Sequence, residues 1–201
     1  MDLNPENVLK GIAIGFAIAA PVGPIGVLCI RRSIAEGMLR GLLSGLGAAT
    51  ADTAYAAMGA LSTSAVDHWM VAFKPYLTWC AGAFLLYLGV RTLRTKPHTA
   101  GSLPVGSAVG AYVSTLMLTL ANPMTILSFA AIFAGLGGMD SKSSIALVVG
   151  VFAGSACWWL LLSAVTGRVG RHLSVVQMRW INRTCGVTLI GFALYAVGTN
   201  L

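Results

Sequence analysis

Apolar residues in this chain come in long continuous blocks, neither alternating nor recurring once per helical turn. Runs nearly free of charge cover residues 8–30, 39–62, 71–93, 108–134, 144–166 and 184–200, each close to the roughly 20 residues a helix needs to cross hydrocarbon. Only helices or closed barrels satisfy backbone groups in lipid, and barrel strands would alternate. The pattern therefore predicts an all-α membrane protein of six transmembrane helices, the last of them the shortest.

The most polar interval is RTKPHTAGSLPVGS, residues 94–107, which carries proline and glycine turn signals. It divides the chain into a first three-helix unit (1–93), a linker (94–107) and a second three-helix unit (108–201). Three is odd, so halves of shared fold would insert in opposite orientations as inverted repeats, with substrate held at their interface near the midplane. Local likeness supports this: APVGP inside helix 1 precedes Gly41, Gly45 and Ala49 on helix 2, while ANP inside helix 4 precedes Gly150 and Gly154 on helix 5. Small residues four apart also occur wherever membrane helices pack closely, and they would permit a homodimer.

Charge sets the orientation. Of 13 basic residues, Arg31, Arg32 and Arg40 lie between spans 1 and 2, Arg91, Arg94 and Lys96 around the 3–4 connection, and Arg168, Arg171, Arg179 and Arg183 between spans 5 and 6. The other side keeps Lys10, Lys74 and Lys142 together with Asp2, Glu6, Asp67 and Asp140. Lys and Arg accumulate in cytoplasmic loops, so the linker is expected in the cytoplasm and both termini outside it. The N-terminal MDLNPENVLK is acidic and the first run exceeds a signal h-region, so that run is expected to remain in the mature protein.

Composition closes off several functions. At 57% hydrophobic and 9% charged, the chain carries far fewer charges than the roughly one quarter of a soluble domain. The net charge of +7 is scattered between apolar runs, which excludes a nucleic-acid face. No GxxxxGK[ST] loop is present, so ATP is not expected to drive transport. Cys29, Cys80, Cys157 and Cys185 form no Cys-x-x-Cys pair and read as small core residues, which weakens a membrane thiol oxidoreductase. His68, His98 and His172 fall in predicted loops. One carboxylate and no histidine within the spans weakens a metal-ion exporter, and no metal or cofactor is expected.

Three features remain. Pro21, Gly23 and Pro24 sit inside span 1 and Asn122-Pro123 inside span 4; proline removes an amide donor and clashes with the preceding turn. Both helices should break there, and matched interruptions in the two halves point to a transporter site. Asp52 is the only acid within a predicted span. A carboxylate at that depth costs several kcal/mol unless protonated or paired, which marks a functional position and a candidate proton carrier. Tyr55 lies one turn on and could share its face. Trp158, with Trp159, could wall a substrate cavity, whereas Trp69, Trp180 and Tyr76 read as interfacial belt residues. Arg31 and Arg32 read as topology determinants, with a gate at the cytoplasmic mouth as the lesser alternative.

Together APVGP, GLGAATADTAYA, ANP, GSACWW and WINRTCGVTLIGFALYAV resemble the LysE family of translocators, which includes the lysine exporter and the homoserine/threonine (RhtB) branch. The resemblance spans almost the whole chain. It implies a six-helix bacterial inner-membrane protein that exports amino acids or related small metabolites on the proton gradient, and it carries over to Pro21, Gly23, Pro24, Asp52, Asn122 and Pro123. Many members have APGP where this chain has APVGP.

Overall fold

The computed structural model describes residues 4–21, 23–60, 64–94, 107–122, 125, 126, 128, 129, 132, 141–170, 172 and 174–198. Among these are seven helices and no strand: α1 (Pro5–Ala19), α2 (Pro24–Glu36), α3 (Met38–Ala60), α4 (Ser64–Arg94), α5 (Ala108–Leu120), α6 (Ser141–Gly170) and α7 (Val175–Gly198). Local chemistry sets several of their ends. Asn4 caps α1 by accepting from the Glu6 amide at 3.0 Å, with Pro5 at the first helical position. Ser107 caps α5 through the Gly110 amide at 3.2 Å. Between α2 and α3 the chain turns on Gly37 alone, whose φ of +96° lies where a side chain would be strained.

The helices differ from the apolar runs in instructive ways. The first run becomes two helices, α1 and α2, bent by 83°. The last helix starts at Val175 instead of 184, because Arg179, Asn182 and Arg183 lower the local hydropathy without breaking the helix. Arg31 and Arg32, expected in a loop, lie inside α2, which continues to Glu36. The linker residues 95–106 fall outside the described residues.

Among the described residues, Ser144–Gly170 of α6 is long and apolar enough to cross a membrane by itself, the α1–α2 pair qualifies if taken as one span, and α5 is apolar but shorter. Only 39% of the most apolar 18-residue stretch of α6 is buried inside the protein. The remainder turns Val149, Phe152, Leu160, Leu161 and Val165 outward, a face that water would not tolerate and lipid would.

Packing is organised around α3, which lies between α5 and α6; α1 lies along α6, α4 along α7, and α2 reaches α3, α6 and α7. The α1–α6 approach is backbone to backbone. A Cβ on Gly15 would stand 2.1 Å from the Val151 carbonyl oxygen, and one on Gly154 2.1 Å from that of Ile12. Small residues on both faces are what allow so close a membrane-helix crossing. Along α3, Ala48 and Ala49 join one apolar cluster with Leu28, Leu118 and Trp159, while Tyr55 and Ala56 join another with Phe129, Leu147 and Val151. Asp52 sits between the two.

Candidate functional site: a carboxylate between two helix breaks

Helix α1 ends at Ala19, ahead of Pro21, which has no amide to continue the ladder. The Gly23 amide turns back onto the Pro21 carbonyl at 2.9 Å, and α2 then starts with Gly23 as its cap and Pro24 at its first position. No side chain caps this end. The first amides of α2 therefore open into the break, with the positive end of the helix dipole behind them.

The second half contains a comparable interruption. Helix α5 stops at Leu120, Ala121 takes φ −90° and ψ 0°, and Asn122 donates its amide to the Thr119 carbonyl at 3.1 Å. Described residues from Thr125 on are helical again, the Ile126 amide reaching the Asn122 carbonyl at 3.2 Å. Pro123 itself lies outside the described residues.

Both breaks border one small cavity of about 60 Å³, lined by Pro21, Gly23, Pro24, Asp52, Thr119, Asn122, Thr125 and Trp159 among others. Such a volume admits a few water molecules. Asp52 is 3% exposed. Its carboxylate accepts from the Ser155 hydroxyl at 2.7 Å, and Ser155 in turn accepts from the Trp159 indole N–H at 3.2 Å. Trp159 fits against α3 because position 45 is glycine: a Cβ there would be 2.3 Å from the Trp159 Cβ.

Two other candidates point elsewhere. Tyr55 is buried, donates its hydroxyl to the Leu120 carbonyl and stacks on Phe129 at 5.9 Å, so it ties α3 to the end of α5. Trp158 packs edge-on against Phe16 at 5.3 Å, and it is its neighbour Trp159 that lines the cavity.

One buried charge lies outside the site that the sequence indicates. Arg32 is 9% exposed. Its Nη1 donates to Ser44 at 2.8 Å, the Ala111 carbonyl at 2.9 Å and Thr115 at 3.0 Å, and its Nη2 to Ser114 at 2.8 Å. These bonds fasten α2 to α3 and α5. Beside it opens a cavity of about 410 Å³ lined by Arg31, Arg91, Glu36, Phe84, Tyr87 and Ser107 among others. The available signal was the set of small hydroxyls, Ser44, Ser114 and Thr115, near the same ends of two apolar runs.

An apolar outer face and interrupted helices with a buried carboxylate among them fit a helical membrane protein, and the match to a translocator family makes it a transporter and not an enzyme. The chain belongs to the family of LysE type translocators, whose model matches residues 16–199. It is 26% identical to the "Putative amino acid efflux protein YcgF" of Bacillus subtilis, over 93% of each chain. It is 25% identical to the "Chemotactic transduction protein ChpE" of Pseudomonas aeruginosa, over 92% of this chain and 94% of that one. No solved structure matches.

Proposed function

We propose that this protein is an inner-membrane exporter of amino acids or related small metabolites, working by proton antiport with Asp52 as the proton carrier. The observation that carries this reading is the setting of Asp52. It is a buried acid with a side-chain hydrogen bond from Ser155, facing a cavity bordered by both interrupted helices. An ionisable group placed there can exchange its proton as access alternates, and broken helices supply polar backbone to a substrate at the midplane. Pro21, Gly23, Pro24, Asn122 and Pro123 are the proposed binding elements.

The packing supports six spans in two inverted repeats, with α1–α2 as the first span and α5 opening the fourth. Exchanging the halves turns the α1–α6 pair into the α5–α3 pair and returns α3–α6 and α4–α7 to themselves, and these four are the main pairs observed. Orientation follows from the arginines. Gly167 abuts Met38, Gly170 abuts Ile34, Met178 clusters with Ile34 and Ala35, and Arg91 shares a cavity with Arg31 and Arg32, so arginines of α2, α4, α6 and α7 gather at one end. By the excess of basic residues that end, with the linker 94–107, is cytoplasmic, and both termini lie outside the cytoplasm.

The test is a metabolite profile of the medium from cells that overexpress the protein and cells that lack it. One or more amino acids or their relatives should rise in the first and fall in the second; identical profiles would overturn the exporter reading. Alkaline phosphatase fused after Leu201 should be active, and an inactive fusion would overturn the orientation.

A further inference from the structure

We infer that the arginine-lined cavity at the cytoplasmic end is a receptor for one anionic group, of carboxylate or phosphate chemistry. As a station for cargo, it rests on the exporter reading above. Among the described residues, three guanidinium groups, Arg31, Arg32 and Arg91, line it against one carboxylate, Glu36, so the space carries excess positive charge under low-dielectric walls. Guanidinium is the group best matched to the two oxygens of a carboxylate or phosphate. Ser107 adds a hydroxyl, and Phe84 and Tyr87 an aromatic side. At about 410 Å³ the space lies within the range of small-molecule sites.

The three arginines are held in different ways. Arg32 is committed to Ser44, Ser114, Thr115 and the Ala111 carbonyl, so it contributes a fixed charge at the floor. Arg31 is oriented by its Nε bond to Asn182 at 3.3 Å. Arg91 is on the exposed side of α4 at the rim. Arg91 also lines a second hollow, with Tyr87, Val90 and Arg94, of about 410 Å³. That shared rim gives two sources for the anion: a carboxylate from the aqueous side, or a lipid headgroup from the membrane side.

This receptor is separate from the Asp52 cavity. Their linings share no residue but come close on α2, Gly26 bordering one and Leu28, 1% exposed, the other. The charged groups are further apart: Arg32 reaches Ser44, eight residues before Asp52 on α3, and eight residues of helix amount to about 12 Å. The carboxylate and α-amine of one amino acid are too close together to engage both, so the two serve as successive stations.

The test uses a thiol at position 110. Gly110 lines the cavity, and a Cβ there meets only Ser107 atoms at 3.5 Å and beyond, so Gly110→Cys fits. The exposed Cys80 and Cys157 and the half-buried Cys185 are replaced by Ser. Labelling by a charge-neutral, water-soluble maleimide is timed in phosphatidylcholine vesicles with acetate, inorganic phosphate, acetamide as neutral isostere, or chloride at matched ionic strength. Acetate or phosphate should slow labelling several-fold relative to acetamide and chloride. Arg91→Gln should abolish the protection and Glu36→Gln strengthen it, an increase that mere loss of structure would not produce. If phosphatidylglycerol in the vesicles protects by itself, and acetate then adds nothing, the anion is the lipid's. Equal rates in every solute and both lipids would overturn the receptor. Protection in a protein that exports nothing would overturn the exporter reading and leave the receptor standing, and export without protection would do the reverse.

Discussion

Asp52 and Arg32 are both buried, 3% and 9% exposed, yet the protein treats the two charges in opposite ways. Arg32 meets three hydroxyls and a carbonyl from α3 and α5. Asp52, whose carboxylate can accept about four hydrogen bonds, is paired with one donor, Ser155, among the described residues. A charge so fully surrounded is fixed and serves as a bolt between helices. A charge so lightly held, beside room for a few waters, can change its protonation state without dismantling the packing. On the proposed reading of Asp52, burial alone does not distinguish a structural charge from a working one, and the hydrogen-bond inventory does.

The largest expected effect tests the working side. Asp52→Asn keeps size and hydrogen bonding but fixes the charge at zero. Export driven by a pH gradient into reconstituted vesicles should fall by at least about 100-fold, some 2.7 kcal/mol of driving interaction, while substrate exchange at equal pH persists. Wild-type gradient-driven export by this variant would make Asp52 as structural as Arg32.

Next comes stability, where the order should reverse. Arg32→Met removes four bonds between helices, each worth about 0.6 and at most about 1.7 kcal/mol in membrane proteins. A loss of about 2–4 kcal/mol is expected on unfolding from mixed micelles, against less than about 1 kcal/mol for Asp52→Asn. Equal losses would remove the distinction. Gly45→Ala should cost about 1–2 kcal/mol by driving a methyl into Trp159, and it should disturb the Asp52 cavity while leaving anion protection at position 110 intact.

What the sequence disclosed follows the physics of each residue. Two prolines flanking a glycine announce a break, so α1 and α2 part at Pro21–Pro24 as the sequence implies, whereas the lone Pro75 is carried inside α4; a single acid in apolar surroundings is conspicuous without any structure. Rotation about a helix is not legible in that way. Adjacent residues point about 100° apart, which is why Trp159 borders the cavity while Trp158 meets Phe16. Side-chain length misleads as well: Tyr55 shares the helix of Asp52, but its ring carries the hydroxyl across to Leu120. Arg32 was hidden because hydropathy ends the span at residue 30, whereas the helix runs on to Glu36 and its partners come from residues 12 to 83 positions away.

The smallest expected effect concerns the polar chain that holds Asp52, and it sharpens the comparison by asking how lightly the carboxylate is held. Trp159 donates to Ser155, and Ser155 uses its hydroxyl proton for Asp52; the indole thus occupies the acceptor side of Ser155 and leaves its proton directed at the carboxylate. In Trp159→Phe the hydroxyl can rotate toward a backbone carbonyl of its own helix, as serine does in helices. In Ser155→Ala the carboxylate loses that donor outright. Each change should lower gradient-driven export by only a few-fold, because water in the adjoining cavity can replace the missing donor. The two should not add: a double-mutant cycle is expected to show a coupling of about 0.6 kcal/mol. Additive losses would mean that the indole acts on the cavity by its shape and not through Ser155. A coupling several times larger would mean that Asp52 is held nearly as firmly as Arg32, which would remove the basis for assigning it the mobile proton.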